Sequence, residues 1–202
     1  MKMERDYTRD ISEIRSMMER SSKFLSLSGW AGIMAGIYAL AGAYIAYSVF
    51  HFNPDEIIYN APSGLPEVIF LAILILILAI GTAVFLSCKK ANKRGEKVWN
   101  ATSRWFLASM AVPLAAGGIL ILVLLSKGLI GLIAPLTLLF YGLALFNASK
   151  FTYNDVKFLG LIQIALGLTS SWFIEYSLLF WAIGFGVIHI VYGIYMHLRY
   201  ER

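Results

Sequence analysis

Charge is scarce in this sequence, and the places where it is missing say more than the total. Asp, Glu, Lys and Arg make up 14% of the 202 residues and hydrophobic residues 59%, where soluble domains average about 25% and about 45–50%. That balance excludes an ordinary water-soluble fold. Val68 to Ser87, Phe106 to Ser126 and Leu129 to Phe146 contain no charged residue at all. Each run is long enough to cross roughly 30 Å of hydrocarbon at about 1.5 Å per residue. The runs also lack the period-two alternation of barrel strands, so backbone amides in lipid must be satisfied inside helices.

Cysteine is equally sparse. One residue, Cys88, excludes a disulfide framework and any Cys cluster for zinc or iron–sulfur ligation. His-Glu-x-x-His, Gly-x-Ser-x-Gly, a Walker loop and Cys-x-x-Cys are all missing. No carboxylate is buried in the middle of a span, since Glu67 and Glu175 sit at span ends. His51 and His189 fall at different depths, and His189 and His197 stand about 12 Å apart along a helix, so two histidines cannot sandwich a haem iron. His51 with Asp55 and Glu56 resembles a metal set, but Asn53-Pro54-Asp55-Glu56 reads as a capped first helical turn, which accounts for the acids. No catalytic residue, metal or cofactor is indicated, and the expectation is a protein that is not an enzyme.

What is present is a series of six spans: residues 24–50, 65–88, 105–125, 129–148, 158–173 and 177–198. The fold class is all-α, a polytopic transmembrane bundle. The first span is too long for a cleavable signal and is expected to remain as an anchor. Lys and Arg cluster before span one (Lys2, Arg5, Arg9, Arg15, Arg20, Lys23), between spans two and three (Lys89, Lys90, Lys93, Arg94, Lys97, Arg104), between spans four and five (Lys150, Lys157) and in the 199–202 tail (Arg199, Arg202). Lys127 stands alone on the other side. The positive-inside rule then predicts both termini in the cytoplasm. Topology accounts for the net charge of +5, and nucleic acid is not an expected partner. The matches Asn100-Ala101-Thr102 and Asn147-Ala148-Ser149 fall on the cytoplasmic side, where glycosylation does not occur.

Residues 1–23 place Tyr7, Ile11, Ile14 and Met18 on one helical face. A short amphipathic cytoplasmic helix is predicted, packed either on the membrane surface or against a partner, and His51 to Gly64 should carry a short external helix. Spans one, three and five open alike, as Lys23-Phe24-Leu25, Arg104-Trp105-Phe106 and Lys157-Phe158-Leu159. Spans four and six share Tyr141-Gly142 and Tyr192-Gly193. These echoes fit three related hairpins, and equally the preference of a cytoplasmic border for a basic residue followed by an aromatic one.

Ala31, Ala35 and Ala39 recur with Gly32 and Gly36 as a small-residue stripe that lets another backbone approach, which makes span one central to the bundle or to a dimer. Span two, nearly pure Ile, Leu and Ala, should face lipid. Pro113 and Pro135 interrupt spans three and four, as kinks or as cavity linings. At about 1.5 Å per residue, Gln163 lies roughly 8 Å and His189 roughly 14 Å from the cytoplasmic border. With Ser109, Tyr141 and Tyr192 they should form an inner polar layer, with Gln163 and His189 bonded to each other. Its roles are hydrogen-bonding glue, a ligand pocket or a proton-linked His189.

Pro135 to Lys150 (PLTLLFYGLALFNASK), Trp181 to Gly193 (WAIGFGVIHIVYG) and Arg15 to Gly29 (RSMMERSSKFLSLSG) resemble a family of uncharacterised six-span membrane proteins common in Bacteroidetes. The resemblance covers essentially the whole chain. It implies a bacterial cytoplasmic membrane and brings no activity or site residue. The functional expectation is a non-enzymatic membrane module acting through oligomerisation or a membrane partner protein, with the lipid bilayer around it. The alternative is a carrier or channel for a small neutral or apolar solute.

Overall fold

A computed structural model describes residues 27–52, 54, 64–93, 95 and 98–201. The expected N-terminal amphipathic helix and most of the 51–64 connection lie outside these residues. Within them the chain is helical, with no strand. Six helices form the bundle: α1 (Gly29–Ser48), α2 (Leu65–Lys93), α3 (Ala101–Ser126), α4 (Ile133–Ala148), α5 (Asp155–Trp172) and a broken sixth. The sixth consists of α6 (Ser177–Trp181), a π-helical segment Ala182–Ile188, and α7 (His189–Tyr200). Five of the six are long and apolar enough to cross a membrane. The exception is α5, whose 18 residues carry Asp155, Lys157 and Gln163.

Local chemistry sets the boundaries. Asn100 caps α3 by accepting from the Ser103 amide at 2.8 Å, while the Asn100 amide donates to Ser103 Oγ at 2.9 Å, so two orphan amides are satisfied at once. Gly128, at φ 71°, takes the left-handed conformation that ends α3 without side-chain strain. A short 3-10 turn, Ile130–Leu132, leads into α4. Pro135 then falls in the first turn of α4, where no intrahelical partner awaits an N–H. It therefore starts the helix rather than interrupting it, a correction to the sequence reading. Pro113 does lie inside α3.

Glycines decide which helices pair, because apolar burial alone gives no preference among helices in lipid. A Cβ built on Gly160 would stand 2.8 Å from the Gly142 carbonyl oxygen, and one on Gly142 would stand 2.7 Å from that of Gly160. The same reciprocal contact recurs where Gly193 of α7 meets Gly29 of α1, at 2.6 and 2.5 Å. Thus α4 lies on α5 and α7 on α1, backbone against backbone. Gly32 and Gly36 extend the second contact towards His189 and Gly186. Farther along α1, Ala39, Ala43 and Ala46 are buried, whereas Ala31 and Ala35 are half-buried. α1 thus lies between α2 and the broken sixth helix.

The remaining two helices are outriders. α2 packs on α1, joined by a Tyr38–Thr82 hydroxyl contact of 3.3 Å. α3 packs on α4, and Gly117 admits the Phe140 ring. α2 and α3 share no extensive contact. No residue of the most apolar stretch of α2 is buried, consistent with a lipid-facing span.

Candidate functional site

The buried polar side chains gather where helix six changes register. Small residues at Gly184 and Gly186 let the π segment widen against Leu138 and Leu40, and such a segment frees a carbonyl from the regular ladder. The Gly184 carbonyl oxygen accepts from Gln163 Nε2 at 2.7 Å and from His189 Nδ1 at 2.8 Å. In the neutral ring this proton on Nδ1 leaves Nε2 to accept from the Tyr141 hydroxyl at 3.0 Å. Gln163 is fully buried and His189 is 5% exposed.

The expected layer is partly assembled. His189, Gln163 and Tyr141 come together, and Gln163 Nε2 lies 3.4 Å from His189 Nδ1. Both atoms donate to Gly184, so the two side chains share an acceptor instead of bonding to each other. Tyr192 lies one turn beyond His189 among Leu145, Val156 and Met196, and its hydroxyl has no partner among the described residues. Ser109 is half-buried on α3, with no hydrogen bond linking it to the network among the described residues. Gln163 Oε1 and Ser170 Oγ are likewise buried without a partner. Phe185 stacks at 5.8 Å from the His189 ring and 5.0 Å from that of Tyr141, with Trp181 at 5.1 Å behind it. An aromatic wall therefore closes one side of the network.

A second cluster, which sequence reading missed, ties the basic end of the bundle together. Glu201 Oε1 accepts from the Gly29 amide at 2.9 Å and from Lys90 Nζ at 3.0 Å, and Oε2 bonds His197 Nδ1 at 2.7 Å. Lys90 also donates to the Leu27 carbonyl oxygen and lies 5.7 Å from the Tyr153 ring centre. Tyr200 donates to Asp155 at 2.7 Å. Burial would raise the Glu201 carboxyl, but the bonds from His197, the Gly29 amide and Lys90 outweigh it and hold the group down at about 2. The start of α1 and the ends of α2 and α7 meet on this one carboxylate. The signal in the sequence was slight, a single acid in a four-residue tail.

Two grooves among the described residues lie away from His189. One, of about 690 Å³, runs along α1 and α2 past Trp30, Met34, Ile77, Gly81 and Phe85. The other, of about 440 Å³, lies near the start of α2, between Phe50 and Phe70. Both are apolar and open outward. Among the described residues no three His, Cys, Asp or Glu side chains gather as metal ligands. No family model, curated protein or solved structure matches this chain.

Proposed function

We propose that the protein is a non-enzymatic membrane module that works through assembly with other membrane chains, its interior closed and its working surfaces turned outward. On this reading all six helices cross a bacterial cytoplasmic membrane with both termini inside. The asymmetry of Lys and Arg supports that topology. The glycine contact to α4 carries α5 across despite its lower hydropathy. The observation that carries the proposal is the buried network: His189, Tyr141 and the Gln163 amide nitrogen bond to one another or to Gly184, and the two surface grooves lie away from them. A carrier needs a solvated or emptied site at this depth.

Native mass spectrometry of the protein extracted gently from its own membrane tests this. The expected mass is a multiple of the chain, or the chain with a partner subunit, without a retained small molecule. A monomer carrying a small molecule that is lost on His189→Ala overturns it.

The second reading is a carrier or channel for a small neutral or apolar solute. The unpaired Gln163 Oε1, Ser170 Oγ and Tyr192 hydroxyl favour it, because buried polar atoms usually have a partner or a water.

A further inference from the structure

The bundle makes one kind of contact twice and leaves a third position for it open. In both closed cases a helix running towards the basic end brings a glycine against an antiparallel helix that leaves that end: Gly142 of α4 on Gly160 of α5, and Gly193 of α7 on Gly29 of α1. Gly142 precedes the first basic residue of its flank, Lys150, by eight positions, and Gly193 precedes Arg199 by six. α2 runs in the same direction, and its Gly81 precedes Lys89 by eight. Gly81 is therefore the third member of the set, and among the described residues nothing lies within 4 Å of a Cβ placed on it. It lines the 690 Å³ apolar groove, which continues the α1/α2 interface outward.

We propose that this groove is a subunit interface filled by α3 of a second copy of the chain, so that α2 of each copy covers α3 of the other about a two-fold axis along the membrane normal. The proposal rests on the assembly reading and names its surface. The two closed contacts specify the occupant as an antiparallel helix that leaves the basic end. Of the helices that do so, α1 and α5 have met their glycines, and α3 has not. α3 packs within its own chain along the stripe Phe106, Met110, Gly117 and Leu124. Its opposite side carries Ala108, Ala111, Ala115 and Gly118, all exposed, and Gly118 has open space about it. The depths agree as well. Gly160 and Gly29 lie three and six residues beyond Lys157 and Lys23, and Ala108 and Ala111 lie four and seven beyond Arg104. A two-fold along the normal keeps both copies in one topology and closes both open positions at once, giving a dimer rather than a filament.

Because Gly81 and Gly118 meet nothing among the described residues, leucine fits at both positions in a monomer and blocks only the close approach of another helix. The full-length protein, reconstituted in bilayers of bacterial lipid, is assayed by single-molecule photobleaching as wild type, Gly81→Leu and Gly118→Leu. The expected result is a dimer whose fraction falls at least tenfold in each variant, with the unfolding midpoint of the detergent-solubilised monomer not lowered. In a Cys88→Ser background, Gly81→Cys with Ala111→Cys should form a disulfide-linked species of twice the chain mass, and neither cysteine alone should link α2 to α3.

A monomeric wild type at every protein-to-lipid ratio overturns this interface, with lipid as the occupant of the groove. Self-association that survives both leucines without the cross-link overturns the surface and leaves the assembly reading standing. A different protein chain cross-linked at Gly81 overturns the second copy as occupant.

Discussion

Gly184 has no side chain, yet its carbonyl oxygen is where two buried polar residues from different helices meet. Removing one spoke should be mild. Tyr141→Phe leaves His189 Nε2 without its donor, at an expected cost of about 0.6–1.7 kcal/mol, the range for single hydrogen bonds between membrane helices. Altering the hub should be worse. A Cβ on Gly184 would stand 2.5 Å from Leu138 Cδ2 and 2.7 Å from Gln163 Oε1, so Gly184→Ala should cost about 1–3 kcal/mol by overpacking. Unfolding in mixed detergent micelles measures both, and equal stability of Gly184→Ala and wild type would contradict the geometry.

Glu201 sets a pH dependence at the same scale. Its carboxyl falls from an ordinary 4.5 to about 2 on folding. The contribution is complete above about 4.5 and is lost as pH falls towards 2. Over that window the stability advantage of wild type over Glu201→Gln should shrink progressively, as a pH series of unfolding midpoints would show; a constant advantage would argue against the clamp. His189 and Gln163 were legible in the sequence because polar residues are rare in apolar runs. Gly184 was not, since a carbonyl is freed by packing against Leu138 and Leu40 rather than by its own residue type. The Glu201 bond to Gly29 spans 172 positions, a pairing no local pattern encodes.

At the scale of elements, helix existence followed from apolar length, while helix pairing followed from where glycine sits. In α1 the closest approaches are made by Gly29, Gly32 and Gly36, while Ala31 and Ala35 stay half-buried. The partner could not be read, because Gly29 meets Gly193 only once the bundle has closed. Pro135 misled because a proline inside an apolar run looks the same whether it breaks a helix or starts one after a 3-10 turn. Gly160→Leu should abolish the folded bundle, because its side chain would have to displace the Gly142 carbonyl and the Phe146 backbone. Deleting Ile183 removes the extra residue of the widened turn and restores α register, keeping α7 on α1 but withdrawing the Gly184 carbonyl from Gln163 and His189. The variant should stay monodisperse in detergent with a lowered unfolding midpoint, and an unchanged midpoint would contradict the hub.

For the whole molecule, positive charge gathers at one end, large apolar side chains such as Phe70, Val112 and Ile119 face outward, and the polar groups inside bond mostly to one another. A closed interior is the claim on which the assembly reading depends, and thiol labelling tests it most directly. Ser170 is fully buried within α5, and a Ser170→Cys, Cys88→Ser protein keeps nearly the same side-chain volume. A small water-borne thiosulfonate should leave this cysteine unmodified in proteoliposomes and react only after unfolding in SDS. Modification of the folded protein as fast as at an exposed Ser126→Cys control would mean that water reaches the interior, contradicting the closed module and favouring the carrier.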